Sequence, residues 1–118
     1  MDDETETAGD PLEARFPELA KLREQHKGRV HAFDADEFGL VVVAKPRNKE
    51  VYRTYIRELR NDKLDDAVAI EKFAMACVVY PEDRKRVQSL FDEYPAFAQL
   101  VANRGEQLCG LGFRELGK

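Results

Sequence analysis

The chain has 118 residues, 43% of them hydrophobic and 36% charged, with a formal net charge of −4. That length holds one domain and one core, and the balance of apolar and charged residues excludes a wholly disordered chain. No run reaches the roughly 18 consecutive apolar residues of a membrane helix, and an acidic start is the opposite of a secretory signal, so the sequence predicts a cytoplasmic protein.

Charge is distributed unevenly. The first thirteen residues carry Asp2, Asp3, Glu4, Glu6, Asp10 and Glu13 with no Lys or Arg, which leaves the remainder at +2. Residues 2–9 hold nothing apolar larger than Ala8, too little to offset their ordering entropy. An acidic disordered tail is expected over 1–9, dispensable for folding. A single domain follows over 10–110, and Gly110, Gly112 and Gly117 predict a loose end over 111–118.

Asp10-Pro11 begins a short helix, Asp as a cap and Pro at the first helical position. Leu12, Phe16, Leu19, Ala20 and Leu22 give it apolar positions, and Gly28 stops it. Pro17 either kinks this helix or marks where its regular part begins. Arg29 to Phe33 and Gly39 to Ala44 read as strands around the turn-prone Asp34-Ala35-Asp36-Glu37, which predicts a two-stranded hairpin covered by helices on one face.

Pro46 opens a helix to about Arg60, with Val51, Tyr52, Tyr55, Ile56 and Leu59 on one arc. Asn61-Asp62 breaks it and caps a helix from Lys63 to about Tyr80. Phe73 to Tyr80 carries no charge, so this helix becomes apolar nearly all round and is expected to be the most buried, central element. Pro81-Glu82-Asp83 starts a helix with Val87, Leu90, Phe91 and Tyr94 inward. Pro95 starts the last, with Phe97, Leu100, Val101, Leu108 and Cys109; Gly105 weakens it, and an end near Asn103 is expected. The fold class is α+β: a short N-terminal helix, a two-stranded antiparallel hairpin, then a compact bundle of about four helices.

Reaction chemistry finds little footing. Ser89 is the only serine and lacks a G-x-S-x-G context. Cys77 and Cys109 have no CxxC spacing and, with His26 and His31, make a poor ligand set, so no metal or other cofactor is expected. Asp65-Asp66, Asp34/Asp36 and Glu82-Asp83 are explained by turns and helix starts rather than by acid–base work. Gly110-Leu111-Gly112 follows no strand and cradles no phosphate. The expectation is a protein that is not an enzyme and works through its surfaces.

Two surfaces qualify. Lys49, Arg53, Arg57 and Arg60 fall within about 80° of one another on the helical wheel, beside the apolar arc. Such a stripe is either a solvated face balanced by Glu50 and Glu58, or a site for something negative: nucleic acid, an acidic protein, or the chain's own acidic tail. The overall acidity argues against nucleic acid as the main ligand. Tyr52 and Tyr55 are the nearest aromatic candidates, wherever they are not buried. The second surface is Phe91, Tyr94 and Phe97, around the last Pro junction, which could leave an apolar stripe for a partner.

Val41-Val42-Val43-Ala44-Lys45-Pro46-Arg47 runs from strand through a basic residue and Pro into a helix bearing Tyr52 and Tyr55. The alanine-rich Ala67 to Ala76 closes in Cys77-Val78-Val79-Tyr80-Pro81, and Leu90, Pro95 and Leu100 precede a glycine-ended C-terminus. This order of signals, over about Arg29 to Gly110, resembles the small tail assembly chaperones of tailed bacteriophages and related elements. The resemblance implies a soluble, mostly helical, non-enzymatic adaptor that binds tape-measure or tail-tube proteins in the host cytoplasm and is absent from the finished tail. It carries no catalytic motif. The chain departs from the family in its long acidic tail and in lacking a second, frameshift-extended half. Two other classes stay open: a nucleic-acid-associated regulator using the 49–60 face, and a structural subunit of the virion.

Overall fold

The structure is a computed structural model that describes residues 11–117. The tail expected over 1–9 therefore lies outside the described residues. Six helices and a three-stranded antiparallel sheet make an α+β fold. The strands are β1 (Val30–Asp34), β2 (Leu40–Ala44) and β3 (Val78–Tyr80), in the order β1-β2-β3.

The middle strand explains the arrangement. All five residues of β2 are buried. Val41 and Val43 join the large core with Tyr55, Phe73, Phe91 and Val101. Leu40 and Val42 turn the other way, into a smaller core with Leu19 and the half-buried Leu12, Phe16 and Leu22. Successive side chains on a strand point to opposite faces, so a strand covered on both sides must be apolar throughout. The run Leu-Val-Val-Val-Ala is that pattern. The expected hairpin, covered on one face, is thus a sheet covered on two.

The N-terminal helix breaks at its proline into α1 (Pro11–Arg15) and α2 (Glu18–Gln25), which cover the Leu40/Val42 face. Pro17 has no N–H to continue the first helix. Gly28 follows at φ +78°, a left-handed position where glycine carries no side-chain penalty. β1 then pairs with β2 from Val30↔Ala44 to Asp34↔Leu40. A single 3₁₀ turn, Asp36–Phe38, closes the hairpin.

Helix α3 (Lys49–Leu59) starts three residues after Pro46, where the Asn48 side chain accepts the Glu50 N–H at 2.8 Å. Pro46 itself is buried in the corner before it. Helix α4 spans Asp66–Cys77, capped by Asp65 accepting the Ala67 N–H at 2.9 Å, rather than the expected Lys63 to Tyr80. Its last expected turn is instead β3, which pairs with Val42 and Val43 of β2. β-branched Val78 and Val79 fit a pleated surface, and an edge of β2 was open to receive them.

Nor is α4 the most buried element. It buries Ala69, Phe73, Ala74 and Cys77, while Leu64 and Val68 near its start are exposed. Its end is tied off by Arg84, whose guanidinium donates to the carbonyls of Met75, Val78 and Pro81 at 2.9 to 3.0 Å. The Met75 carbonyl is one that a helix terminus leaves unpaired, while Val78 and Pro81 lie in and just after β3. Helix α5 (Arg84–Glu93) begins only after Asp83, which caps it by accepting from Lys85 N–H at 3.0 Å.

Helix α6 (Pro95–Glu106) does not end near Asn103. It runs past Gly105 into a π-helical turn, Gln107–Leu111. The glycine is a packing device: a Cβ there would stand 2.5 Å from Cys77 Sγ and 3.1 Å from the Phe73 ring. Its missing side chain lets α6 lie closely across α4. Gly105→Ala is expected to cost about 1–3 kcal/mol through overpacking. Adding Cys77→Ala should recover part of that loss, a non-additivity measurable in urea unfolding of the two single variants and the double.

Candidate binding surface

Helix α3 carries the predicted basic stripe on its outer side. Lys49, Arg53, Arg57 and Arg60 are all exposed. Arg53 pairs with Glu50 at 2.9 Å, and Arg57 donates to Thr54 Oγ1 at 3.1 Å. An exposed pair of this kind contributes little and leaves the charge accessible.

The four cations do not act as one stripe. Lys49 and Arg53 line a groove of about 720 Å³ together with Lys45, Arg47, Asn48, Tyr52 and Cys109. Arg57 and Arg60 lie further along the helix, outside that lining. The groove thus gathers Lys45, Arg47, Lys49 and Arg53, and no carboxylate is among its lining residues. Lys45, Arg47 and Lys49 form no ion pair with any described residue.

Sequence reasoning missed Lys45 and Arg47 because it assigned them to a corner. The signal was present: Lys45-Pro46-Arg47-Asn48-Lys49 alternates cations with a proline and a helix-capping asparagine. With Pro46 buried, the chain is pinned between β2 and α3, and its charged neighbours are turned outward. Lys45, Pro46, Arg47 and Asn48 also line a second cleft that continues to Leu22, Gln25 and His26 at the end of α2.

The aromatic candidates divide by burial. Tyr55 is 4% exposed and stacks on Phe73 with ring centroids 4.3 Å apart and planes 7° from parallel. Burial, then the nearby Glu106 carboxylate, raise its hydroxyl pKa well above the ordinary tyrosine value. Phe91 is 2% exposed. Both were candidates for partner contact, and both instead fill the large core, where they have no surface to offer. Tyr52 is half-buried: one edge meets Tyr55 and Phe73, with centroids 6.2 and 6.0 Å away, while the ring also borders the basic groove.

Phe97 is half-buried against Phe33 in an edge-to-face contact at 5.2 Å. Tyr94 is 45% exposed and reaches Glu37. These two line a separate apolar groove with Phe33, Ala35 and Leu100, rimmed by Asp34 and Asp36. The structure does not bring the two predicted surfaces into one cleft.

Groups that could carry chemistry are scattered. Ser89 is exposed on α5, His31 is half-buried in β1, and His26 follows α2; no hydrogen bond joins them. Burial raises the Cys77 thiol pKa to about 12, the state of an inert core thiol. Among the described residues no group of three or more His, Cys, Asp and Glu is placed to hold a metal ion, and no helix is long and apolar enough to cross a membrane. Compared with family models, curated proteins and solved structures, the chain matches none.

His31 supplies a pH dependence. Burial, then the charge of Arg104, lower its pKa from 6.5, so the fold favours the neutral ring. The unfolded chain binds the proton more readily, so this contribution is complete above pH 6.5 and is lost as pH falls from there through the folded-state value. Between about pH 7.5 and about pH 5.5, the wild type should lose more stability than His31→Gln, read as the shift in urea midpoint.

Proposed function

We propose that this chain is a non-enzymatic, cytoplasmic adaptor that holds an acidic protein segment in the groove before α3. The observation that carries this reading is the convergence of Lys45, Arg47, Lys49 and Arg53 on one groove without an acid in its lining. Arg53 is paired with Glu50, but Lys45, Arg47 and Lys49 have no ion pair with any described residue, and their mutual repulsion is relieved by an anionic partner. Tyr52 gives the groove an amphipathic ring, apolar in body and polar at the tip, the residue type enriched at interfaces.

A separate apolar cleft of about 330 Å³ lies between α3 and α4; it shares no lining residue with the groove, and Tyr55, Ala69 and Phe73 at its floor are buried. The resemblance to phage tail assembly chaperones supplies the client class: a tape-measure or tail-tube protein during virion assembly. Single-stranded or duplex nucleic acid is the second reading, favoured by the same cluster of cations. The net charge of −4 opposes it. The two readings separate by salt: phosphate contacts give a steep logarithmic loss of affinity, about 0.7–0.9 per neutralised phosphate, whereas a partly apolar protein interface gives a shallower one.

The test is association with an immobilised tape-measure or tail-tube client. Arg47→Glu with Lys49→Glu should lower the association rate on the order of tenfold at low salt, and less at high salt, with the fold unchanged by circular dichroism. Arg57→Glu with Arg60→Glu, outside the groove, should have a smaller effect. Equal binding by the folded groove variant would remove the groove from the mechanism.

A further inference from the structure

The sheet has two edges, and they are finished differently. At one, β3 is only three residues long, and its Val78 carbonyl accepts from the Arg84 guanidinium at 3.0 Å. At the other, β1 runs for five residues in regular register with β2. It carries no Lys, Pro or bulge, the devices that ordinarily blunt an exposed edge. We infer that this edge pairs with β1 of a second copy, antiparallel about a two-fold axis at Ala32, which joins two sheets into one.

The hairpin's own hydrogen bonds decide which backbone groups face outward. Ala35 N–H donates to the Gly39 carbonyl at 2.8 Å, continuing the register that runs from Val30↔Ala44 to Asp34↔Leu40. Directly opposed antiparallel residues alternate between pairs that exchange both bonds and pairs that exchange none. In step with Ala35, Phe33 and His31 bond across to β2, and Val30, Ala32 and Asp34 turn their N–H and C=O groups outward. Among the described residues no hydrogen bond reaches those outward backbone groups. About the proposed axis Ala32 opposes Ala32, and Val30 of each copy opposes Asp34 of the other. Every such pair joins outward-facing residues, so each can exchange both bonds. Faces match as well: Val30 and Ala32 lie on the Leu19 side in both copies, and Phe33 on the Phe91 side.

Charge selects a second copy, and antiparallel over parallel. Lys27 and Arg29 precede β1, Asp34, Asp36 and Glu37 end it, and all are exposed. Asp34 is bridged to Arg15, but Lys27, Arg29 and Asp36 form no ion pair with any described residue. Antiparallel self-pairing sets the basic start of each strand against the acidic end of its partner, whereas parallel pairing would align like charges. No β1 residue lines the Lys45–Arg53 groove, so each copy keeps its own and the pair is bivalent toward a client. That consequence rests on the proposed adaptor reading; the strand pairing does not.

The experiment uses the full chain with no client: sedimentation equilibrium across concentration for mass, and amide hydrogen exchange for location. The expected result is a reversible dimer whose formation slows exchange at Val30, Ala32 and Asp34, while His31 and Phe33 are slow at every concentration. Ala32→Pro removes an outward N–H and leaves the ladder to β2 intact. It should weaken association on the order of tenfold, with helix content unchanged by circular dichroism. Arg29→Glu, and separately Asp36→Asn with Glu37→Lys, should each weaken it about threefold at low salt. An equimolar mixture of these two variants should pair at least as tightly as the wild type, a result that stands even where Ala32→Pro does not fold. A chain that stays monomeric up to about 1 mM would overturn the inference and leave the edge to a different strand. So would a dimer that leaves the Val30, Ala32 and Asp34 amides unprotected, or one that the charge variants do not weaken. Loss of client binding in the earlier test leaves all these outcomes unchanged.

Discussion

The fold depends on a single strand that is buried on both faces. Val41, Val42 and Val43 have no exposed surface, and their side chains alternate between two cores. Removing apolar area from water on both sides of a strand stabilises roughly twice what a half-solvated strand gains, at about 25 cal/mol per Å². Everything else is arranged to supply that cover: α1 and α2 on one face, α3 to α6 on the other. β1 and β3 then satisfy the backbone groups of β2 along both edges.

The same constraint places the charged groove. A strand that admits no polar side chain must pass its first charges at its end, and Lys45 is the first residue after Ala44. Pro46 stays buried and turns the chain, so Arg47 and Lys49 emerge beside Lys45 rather than along a continuing strand. Arg53, one helical turn beyond Lys49, returns to the same side. The groove is therefore a consequence of how β2 ends and α3 begins, with Pro46 the buried residue of an otherwise exposed corner.

Close helix packing is the second determinant of shape. Gly105 lets α6 approach Cys77 and Phe73 on α4, and Phe73 in turn stacks on Tyr55 of α3. Tyr52 leans on the same pair of rings, so the aromatic wall of the groove is held by the core behind it. Arg84 donates to the carbonyls of Met75 in the last turn of α4, Val78 in β3 and Pro81 beyond it, tying the helix end to the strand and turn that follow. A charged donor is suited to that role because hydrogen bonds to charged groups are stronger than neutral ones.

What the sequence determined by itself was the inventory of local elements. The α+β class, the hairpin of β1 and β2, the break near Pro17 and the helix starting at Pro95 follow from periodicity, caps and proline chemistry, which act over a few residues. Exposure of the basic residues on α3 was legible for the same reason. Tertiary structure decided the rest. Val78 to Tyr80 reads equally well as the end of an apolar helix, and only the open edge of β2 makes it a strand. Gly105 reads as a weak point in a helix, and only the opposing Cys77 and Phe73 make it a contact. Tyr55 and Phe91 lie on apolar arcs that the sequence already turns inward, and the elements packed above them set how completely they are buried. The joining of Lys45 and Arg47 to Lys49 and Arg53 likewise required the corner at Pro46, because a helical wheel begins only where the helix does.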